Sequence, residues 1–457
     1  MKKHVVLFNS PWIKKKEDIV EEDNTHLRVG IASMAAYLRS SGINVAIIDS
    51  DDIDEIKRKI EEYDPDIVGF PAYTFEIFDS AETATIVKKI KPRALVVVGG
   101  AHPSAMPKET LEEFPVFDVV VFGEGEQTLL EIAKGVEFKN IRGIAYRDSD
   151  QIVQNEKREL IEDLNLLPFP AWDLYDLKRY KNTRGENFLY LPVESARGCP
   201  FNCIFCYRIA GKVMRYKTPG KIVDEIENNI IQYSAAKIYF VEGTFGVNKK
   251  HTINLYDEVM KRGLTGKVSF EVSTRVDVID KEILSKMKEV GVVDIGFGIE
   301  SGDDFILKKV GKNTSREIIT NAIKMCNEAG FKVGATFIIG HPFETRESIL
   351  KTIKFAKNLP IVTANFAIMV PFPGTEIRKL ALDNVGGLKI RTNNWRLYGK
   401  QIGEAMELEN IPRNELIKLQ NKAYRDFYLT LKRFPYLLKH LTFNRLFYAF
   451  KRMIGLN

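Results

Sequence analysis

The chain has 457 residues, 45% of them hydrophobic and 28% charged, which excludes collagen-like, coiled-coil and disordered classes and leaves room for two or three domains. Its net charge of +6 hides a polarity: residues 1 to 135 carry 16 basic and 24 acidic groups, whereas residues 411 to 457 carry 10 and 2. Of four cysteines, three fall within eight residues, which is metal-site spacing rather than a disulfide framework and points to a reducing, cytoplasmic compartment.

The first run, Val5–Phe8, is strand-sized and soon meets Lys14, Lys15 and Lys16, so no secretory leader is expected. It is followed by β-branched runs at Val45–Ile48, Ile67–Phe70, Leu95–Val98 and Val119–Phe122, separated by helical patterns such as Ile31–Leu38 and Ala81–Ile90. Five strands alternating with helices predict an α/β domain with a doubly wound parallel sheet over residues 1–138. Ligands of such sheets sit beyond the carboxyl ends of the strands. Here those ends read Gly69 to Tyr73, Gly99 to Pro103 and Gly123 to Glu126. Gly123 and Gly125 are no dinucleotide fingerprint, since the third glycine is missing and Glu124 and Glu126 would repel a phosphate.

Residues 139–187 read as a linker with a hairpin, Ile141–Tyr146 and Ile152–Asn155, and a proline-rich run around Trp172. Alternation then resumes at Leu191–Ala196, Ile238–Val241, Val268–Val272, Asp294–Ile299, Val333–Ile339 and Ala364–Val370. Six βα units over residues 188–400 predict a partial barrel of the TIM type with its functional face at the strand C-termini. Two helix starts are explicit: Thr218-Pro219, and the capping box Thr314-Ser315-Arg316-Glu317. The longest uncharged stretch, Asn358 to Thr375, holds three prolines and is not read as a membrane span. Residues 401–457 read as a basic, aromatic segment expected to be helical.

The sharpest signal is Cys199-Pro-Phe-Asn-Cys203-Ile-Phe-Cys206, on the loop after the first barrel strand. Structural zinc needs four ligands, and the nearest histidine in sequence is His251. Three thiolates leave a vacancy that suits an iron–sulfur cluster with one open iron, with a zinc-stabilised binding protein as the non-enzymatic alternative. Cys326 shares a small apolar helix face with Ala322, Met325 and Ala329 and is assigned to the core.

These residues resemble the radical S-adenosylmethionine (SAM) superfamily, whose pattern places an aromatic, here Phe205, before the third cysteine. The resemblance implies a [4Fe–4S] cluster on Cys199, Cys203 and Cys206, SAM chelated at the open iron, and reductive cleavage to a 5′-deoxyadenosyl radical. It also assigns SAM contacts to Phe205, to Glu242, Gly243 and Thr244 after the second barrel strand, and to Arg275 after the third. Further contacts fall on Glu300 and Ser301 after the fourth, Gly340 after the fifth and Pro373 after the sixth.

The N-terminal segments Val29-Gly30-Ile31, Ala36-Tyr37-Leu38, Asp64 to Gly69, Val98 to Pro103 and Val121 to Glu126 are similar to the cobalamin-binding domain that precedes many of these barrels. This implies a corrinoid over the strand ends, with Tyr73, Gly99, Gly100, His102, Gly123 and Gly125 as its contacts. The DxHxxG segment that supplies an axial histidine in methionine-synthase-type domains is absent. The resemblance is to the class B methyltransferase-like subgroup. It implies methylation of an unactivated carbon, or alternatively radical cyclisation or rearrangement of a lipid- or tetrapyrrole-like substrate. An electron donor such as ferredoxin or flavodoxin is implied.

The segment Tyr424 to Met453 is expected to cap the barrel as a helix. Its Lys432, Arg433, Lys439, Arg445, Lys451 and Arg452 offer a second reading, peripheral contact with an anionic membrane. No nucleic-acid partner is expected, since no base-stacking module accompanies the patch.

Overall fold

Runs such as Val5–Phe8 and Ile67–Pro71 are buried on both faces and pair inside a covered parallel sheet, whereas in a second sheet burial alternates along the strands, as over Lys332–Ile339. The computed structural model describes residues 3–10, 27–181, 188–401, 403–430 and 433. The chain divides into two units: residues 1–192, 196–198 and 207–217, and residues 193–195, 199–206 and 218–457.

In the first unit, β1 (His4–Phe8), α1 (Val29–Ser40), β2 (Asn44–Ile48), α2 (Ile53–Tyr63), β3 (Ile67–Pro71) and α3 (Ile77–Ile90) follow one another. Next come β4 (Leu95–Gly99), α4 (Ala101–Ala105), α5 (Pro107–Glu113), β5 (Val119–Val121) and α6 (Glu126–Lys134). The hairpin β6 (Ile144–Asp148) and β7 (Gln151–Gln154) completes a seven-stranded sheet of order β2-β1-β3-β4-β5-β6-β7. The first five strands are parallel, as expected for a doubly wound, Rossmann-like sheet. The hairpin adds antiparallel to β5, pairing Val119 with Tyr146.

The stretch expected as a linker therefore packs as part of this unit. Its Leu164, Trp172, Tyr175 and Tyr180 are buried, and Ala171 N–H donates to Ala32 O at 3.1 Å. Tyr180 Oη donates to buried Asp49 at 2.7 Å, and Asn9 Nδ2 reaches the same carboxylate at 3.0 Å. A solvated linker has no use for such side chains, because apolar surface left in water costs about 25 cal/mol per Å².

The second sheet begins with β8 (Leu189–Val193), followed by a two-residue ladder of β9 (Ala196–Arg197) and β10 (Arg215–Tyr216). Then come α7 (Pro219–Tyr233), β11 (Ala235–Phe240), α8 (Lys249–Lys261), β12 (Ser269–Thr274), α9 (Lys281–Val290) and β13 (Val292–Glu300). They continue with α10 (Asp304–Lys309), α11 (Arg316–Glu328), β14 (Lys332–Ile339), α12 (Arg346–Asn358) and β15 (Thr363–Ile368). The six strands are ordered β15-β14-β13-β12-β11-β8, with β8 and β15 at opposite edges, so the barrel is partial. The chain closes with α13 (Glu376–Leu382), the pair β16 (Leu388–Ile390) and β17 (Met406–Leu408), and α14 (Arg413–Tyr428).

An edge strand must hide its unpaired backbone groups. Tyr424 and Tyr428 of α14 do this for β15: their hydroxyls accept from Phe366 N–H at 3.1 Å and Ala364 N–H at 3.0 Å. Arg433 donates to the carbonyls of Lys357, in the last turn of α12, and of Leu359 and Ile361 just beyond it, so its guanidinium is engaged by the barrel. Lys432, Lys439, Arg445, Lys451 and Arg452 lie outside the described residues. Among the described residues, no helix is long and apolar enough to cross a membrane.

Thr218 caps α7 as expected, accepting from Lys221 N–H. At α11 the cap is Ser315, which accepts from Ile318 N–H, one residue later than the expected box. Thr314 Oγ1 is instead buried with no hydrogen-bond partner. Cys326 is fully buried on α11, as the small apolar face implies.

Candidate functional site

The cysteine loop leaves the β9–β10 ladder and is pinned by backbone bonds from two later elements. Ile204 N–H donates to Val310 O at 3.1 Å, and Ile204 O accepts from Ile377 N–H at 3.1 Å. Cys206 N–H donates to Cys203 O at 3.2 Å, a turn that brings the second and third thiols together. Gly311 makes this packing possible: its φ is +71°, and a Cβ there would stand 2.4 Å from Asn202 O.

Positive charge surrounds the middle thiol. Arg275 Nη1 donates to Cys203 Sγ at 3.7 Å, and its guanidinium lies 3.9 Å over the Phe201 ring. A hydrogen bond from Cys206 and the charges of Lys312 and Arg275 outweigh burial and bring the Cys203 thiol down to about 6. The same shared proton, with burial, pushes Cys206 far up. Cys199 Sγ stands 3.7 Å from Thr244 Oγ1. Three thiols beside two cations, with one already poised as thiolate, fit the donor set of an iron–sulfur cluster.

The strand ends carry the other expected residues. Glu242, after β11, accepts from Ser195 Oγ at 2.7 Å, and burial pushes its carboxyl up to about 8. Its neighbour Gly243 offers its carbonyl to Thr244 Oγ1 at 2.7 Å. At the end of β13, Glu300 has φ +71° and pairs with buried Lys312, Nζ to Oε1 at 3.2 Å. Gly298 makes room for that pair, since a Cβ there would meet Glu300 Oε1 at 2.5 Å. Ser301 faces inward, its hydroxyl 3.2 Å from Thr352 Oγ1 and accepting from Asp303 N–H, so it offers a ligand only backbone.

After β14, Glu344 Oε2 accepts from Gly340 N–H at 2.7 Å and His341 N–H at 3.0 Å, and burial pushes this carboxyl up to about 8. The His341 ring is 6.0 Å from that of Phe205, and burial holds its imidazole near 4, hence neutral. Pro373 is buried beyond β15. Arg275 differs from its expected part. Nε and Nη2 are taken by Asp277 and Nη2 also by Lys312 O, so it braces the cysteine loop with little left for SAM. Lys312, Gly311 and Ser195 escaped the sequence reading.

In the first unit, the ends of β3, β4 and β5 lie side by side, with Pro71 opposite Gly99. Tyr73 is 52% exposed, its ring under Arg28, which also grips Glu76 with both terminal nitrogens. Gly100, at φ +108°, is required because a Cβ would meet Ala72 O at 2.8 Å. Gly123, at φ +85°, faces open space. Gly99 is half-buried, and a Cβ on Gly125 would meet Met34 Sδ at 3.1 Å. His102 departs from the expected contacts: at 1% exposure its side chain belongs to the core, as befits the start of α4. Small-residue strand ends beside an exposed aromatic fit a corrinoid. Arg28 and Glu76 are the neighbours the sequence reading missed.

A partial parallel barrel bearing a three-cysteine loop, in one chain with a doubly wound sheet of this kind, defines an iron–sulfur enzyme. Residues 193–356 match the radical SAM superfamily, and residues 19–133 match the B12 binding domain. The uncharacterized methyltransferase PH0819 of Pyrococcus horikoshii is 35% identical over 414 residues, covering 88% of each chain. The anaerobic magnesium-protoporphyrin IX monomethyl ester cyclase of Cereibacter sphaeroides is 30% identical over 409 residues, covering 86% of this chain and 64% of the cyclase. The solved structure of the radical SAM methyltransferase TsrM from Kitasatospora setae, with cobalamin and a [4Fe–4S] cluster, superposes with a TM-score of 0.72 at 18% identity. It covers 94% of this chain and 89% of that one. The chain belongs to the radical SAM superfamily, in the subgroup that carries a cobalamin-binding domain. Its cofactors are a [4Fe–4S] cluster, SAM and cobalamin.

Proposed function

We propose that the protein is a methyltransferase that acts on an unactivated carbon of a small or lipid-like molecule. The observation that carries this reading is the match to the B12 binding domain in the same chain as the radical SAM match, together with the 35% identity to a methyltransferase. When bound, the cluster supplies the electron that cleaves SAM, and the corrinoid supplies a metal centre able to carry a methyl group.

The chain's own residues supply the rest. Cys199, Cys203 and Cys206 hold the cluster, and Arg275 and Lys312 balance its negative charge. Burial leaves Glu242 protonated at neutral pH, so it offers SAM a hydrogen-bond donor, or a carboxylate once the ligand's ammonium is beside it. Glu300, held by Lys312, presents a carboxylate acceptor for ribose hydroxyls, and Glu344 fixes the turn that begins at Gly340 on the adenine side. Tyr73, Gly99, Gly100, Gly123 and Gly125 support the corrinoid face. A reduced ferredoxin or flavodoxin delivers the electron.

A second reading, radical ring closure, is favoured by the similarity to the C. sphaeroides cyclase. Feeding SAM labelled in its methyl group to strains with and without the gene separates the two. A labelled metabolite present only in the strain with the gene supports methylation; an unlabelled, gene-dependent product supports cyclisation.

A further inference from the structure

The turn after β5 reaches beyond the sheet that carries it. Glu124 and Glu126 are interleaved with Gly123 and Gly125, and both carboxylates are buried against the two arginines of the β9–β10 ladder. Arg215 grips Glu124 in two parallel bonds, Nη1 to Oε2 at 3.0 Å and Nη2 to Oε1 at 2.8 Å. Arg197 bridges the two acids, with Nη1 3.2 Å from Glu124 Oε1 and Nη2 2.6 Å from Glu126 Oε1. Ile161 N–H also donates to Glu124 at 2.7 Å, and Arg215 donates to Ala210 O at 3.0 Å. All four charged side chains are 10% exposed or less.

The ladder cannot stand without these acids. It has two rungs, and Arg197 lies directly opposite Arg215, where like charges repel. A buried charge deprived of its partner is strongly destabilising. Yet the ladder is the neck of the cysteine loop. Gly198, between Arg197 and Cys199, has φ +100°, and a Cβ there would strike Val213 O at 2.2 Å, so the two antiparallel arms of the neck are held in close backbone approach at that point. Tyr207, next after Cys206, begins the returning arm. One turn thus carries the glycines assigned to the corrinoid and the acids that hold both ends of the cluster loop.

We propose that the Glu124–Glu126 turn clamps the neck and couples the two cofactors, so that a bound corrinoid and an assembled cluster each raise the affinity for the other. The coupling rests on the cofactor reading above. Whichever group orders the shared turn lowers the ordering cost for the second, and linkage makes the effect reciprocal.

The test is hydroxocobalamin affinity, measured anaerobically on the full chain with and without its reconstituted cluster. The cluster-loaded wild type is expected to bind at least about fivefold more tightly than the iron-free protein. In the doubly neutral variant Glu124→Gln/Arg215→Gln the ratio falls towards one while binding persists. Arg215→Lys, which keeps the charge but not the bidentate grip, retains part of it. Equal affinities in the two wild-type states overturn the coupling, as does a double variant that keeps the full ratio. Should the double variant fail to fold, the wild-type comparison decides alone. Absence of binding in both wild-type states overturns the corrinoid reading itself, and the coupling with it.

Discussion

Gly311 shows how little of a site need be polar to be essential. It holds a left-handed conformation in which a single methyl group would meet the backbone of the cysteine loop. Gly311→Ala is therefore expected to leave circular dichroism nearly unchanged and to reduce iron and sulfide retained after anaerobic reconstitution by more than half; full retention would show the contact to be dispensable. Glu344 gives a pH prediction. Its carboxyl titrates near 4.5 when unfolded and near 8 when buried, so between these values the folded state holds the extra proton. Its contribution to stability is complete below about 4.5 and is lost as pH rises through 8. Urea midpoints should fall across that window in the wild type and fall less in Glu344→Gln. That the three cysteines share one loop was legible because their spacing is local. Lys312 and the bracing part of Arg275 were not, because they depend on the end of α10 folding back over a loop a hundred residues earlier in the chain.

At the scale of elements, β-branched runs announced eleven of the strands within a few residues, through continuous burial in the first sheet and alternating burial in the second. The hairpin was also legible, but its pairing with β5 was not: an edge docking is decided by a distant partner. The one-residue displacement of the α11 cap has a measurable consequence. Ser315→Ala removes a true cap and should cost about 1 kcal/mol. Thr314→Val removes a buried hydroxyl without a partner and should be neutral or stabilising. Urea denaturation of the two variants distinguishes the caps, and the reverse ranking would restore Thr314 to the role the sequence suggested. Among the edge devices, Tyr428→Phe should weaken α14 docking by about 1 kcal/mol by freeing the Ala364 backbone, visible as faster amide exchange there.

For the whole molecule, the acidic first third and the basic end were visible in composition, whereas the extent of the first unit, through residue 192, was not, because buried Trp172, Tyr175 and Tyr180 look like linker residues until their partners are known. The proposed chemistry turns on three thiolates that leave one iron free to bind and cleave SAM. The most direct measurement is 5′-deoxyadenosine release by the anaerobically reconstituted protein given SAM and a low-potential reductant, alongside Cys203→Ala. An absorbance band near ~400 nm and reductant-dependent release are expected in the wild type, both abolished in the variant. A wild type that takes up zinc instead, or that holds iron and sulfide but leaves SAM intact under reductant, would contradict the proposed chemistry.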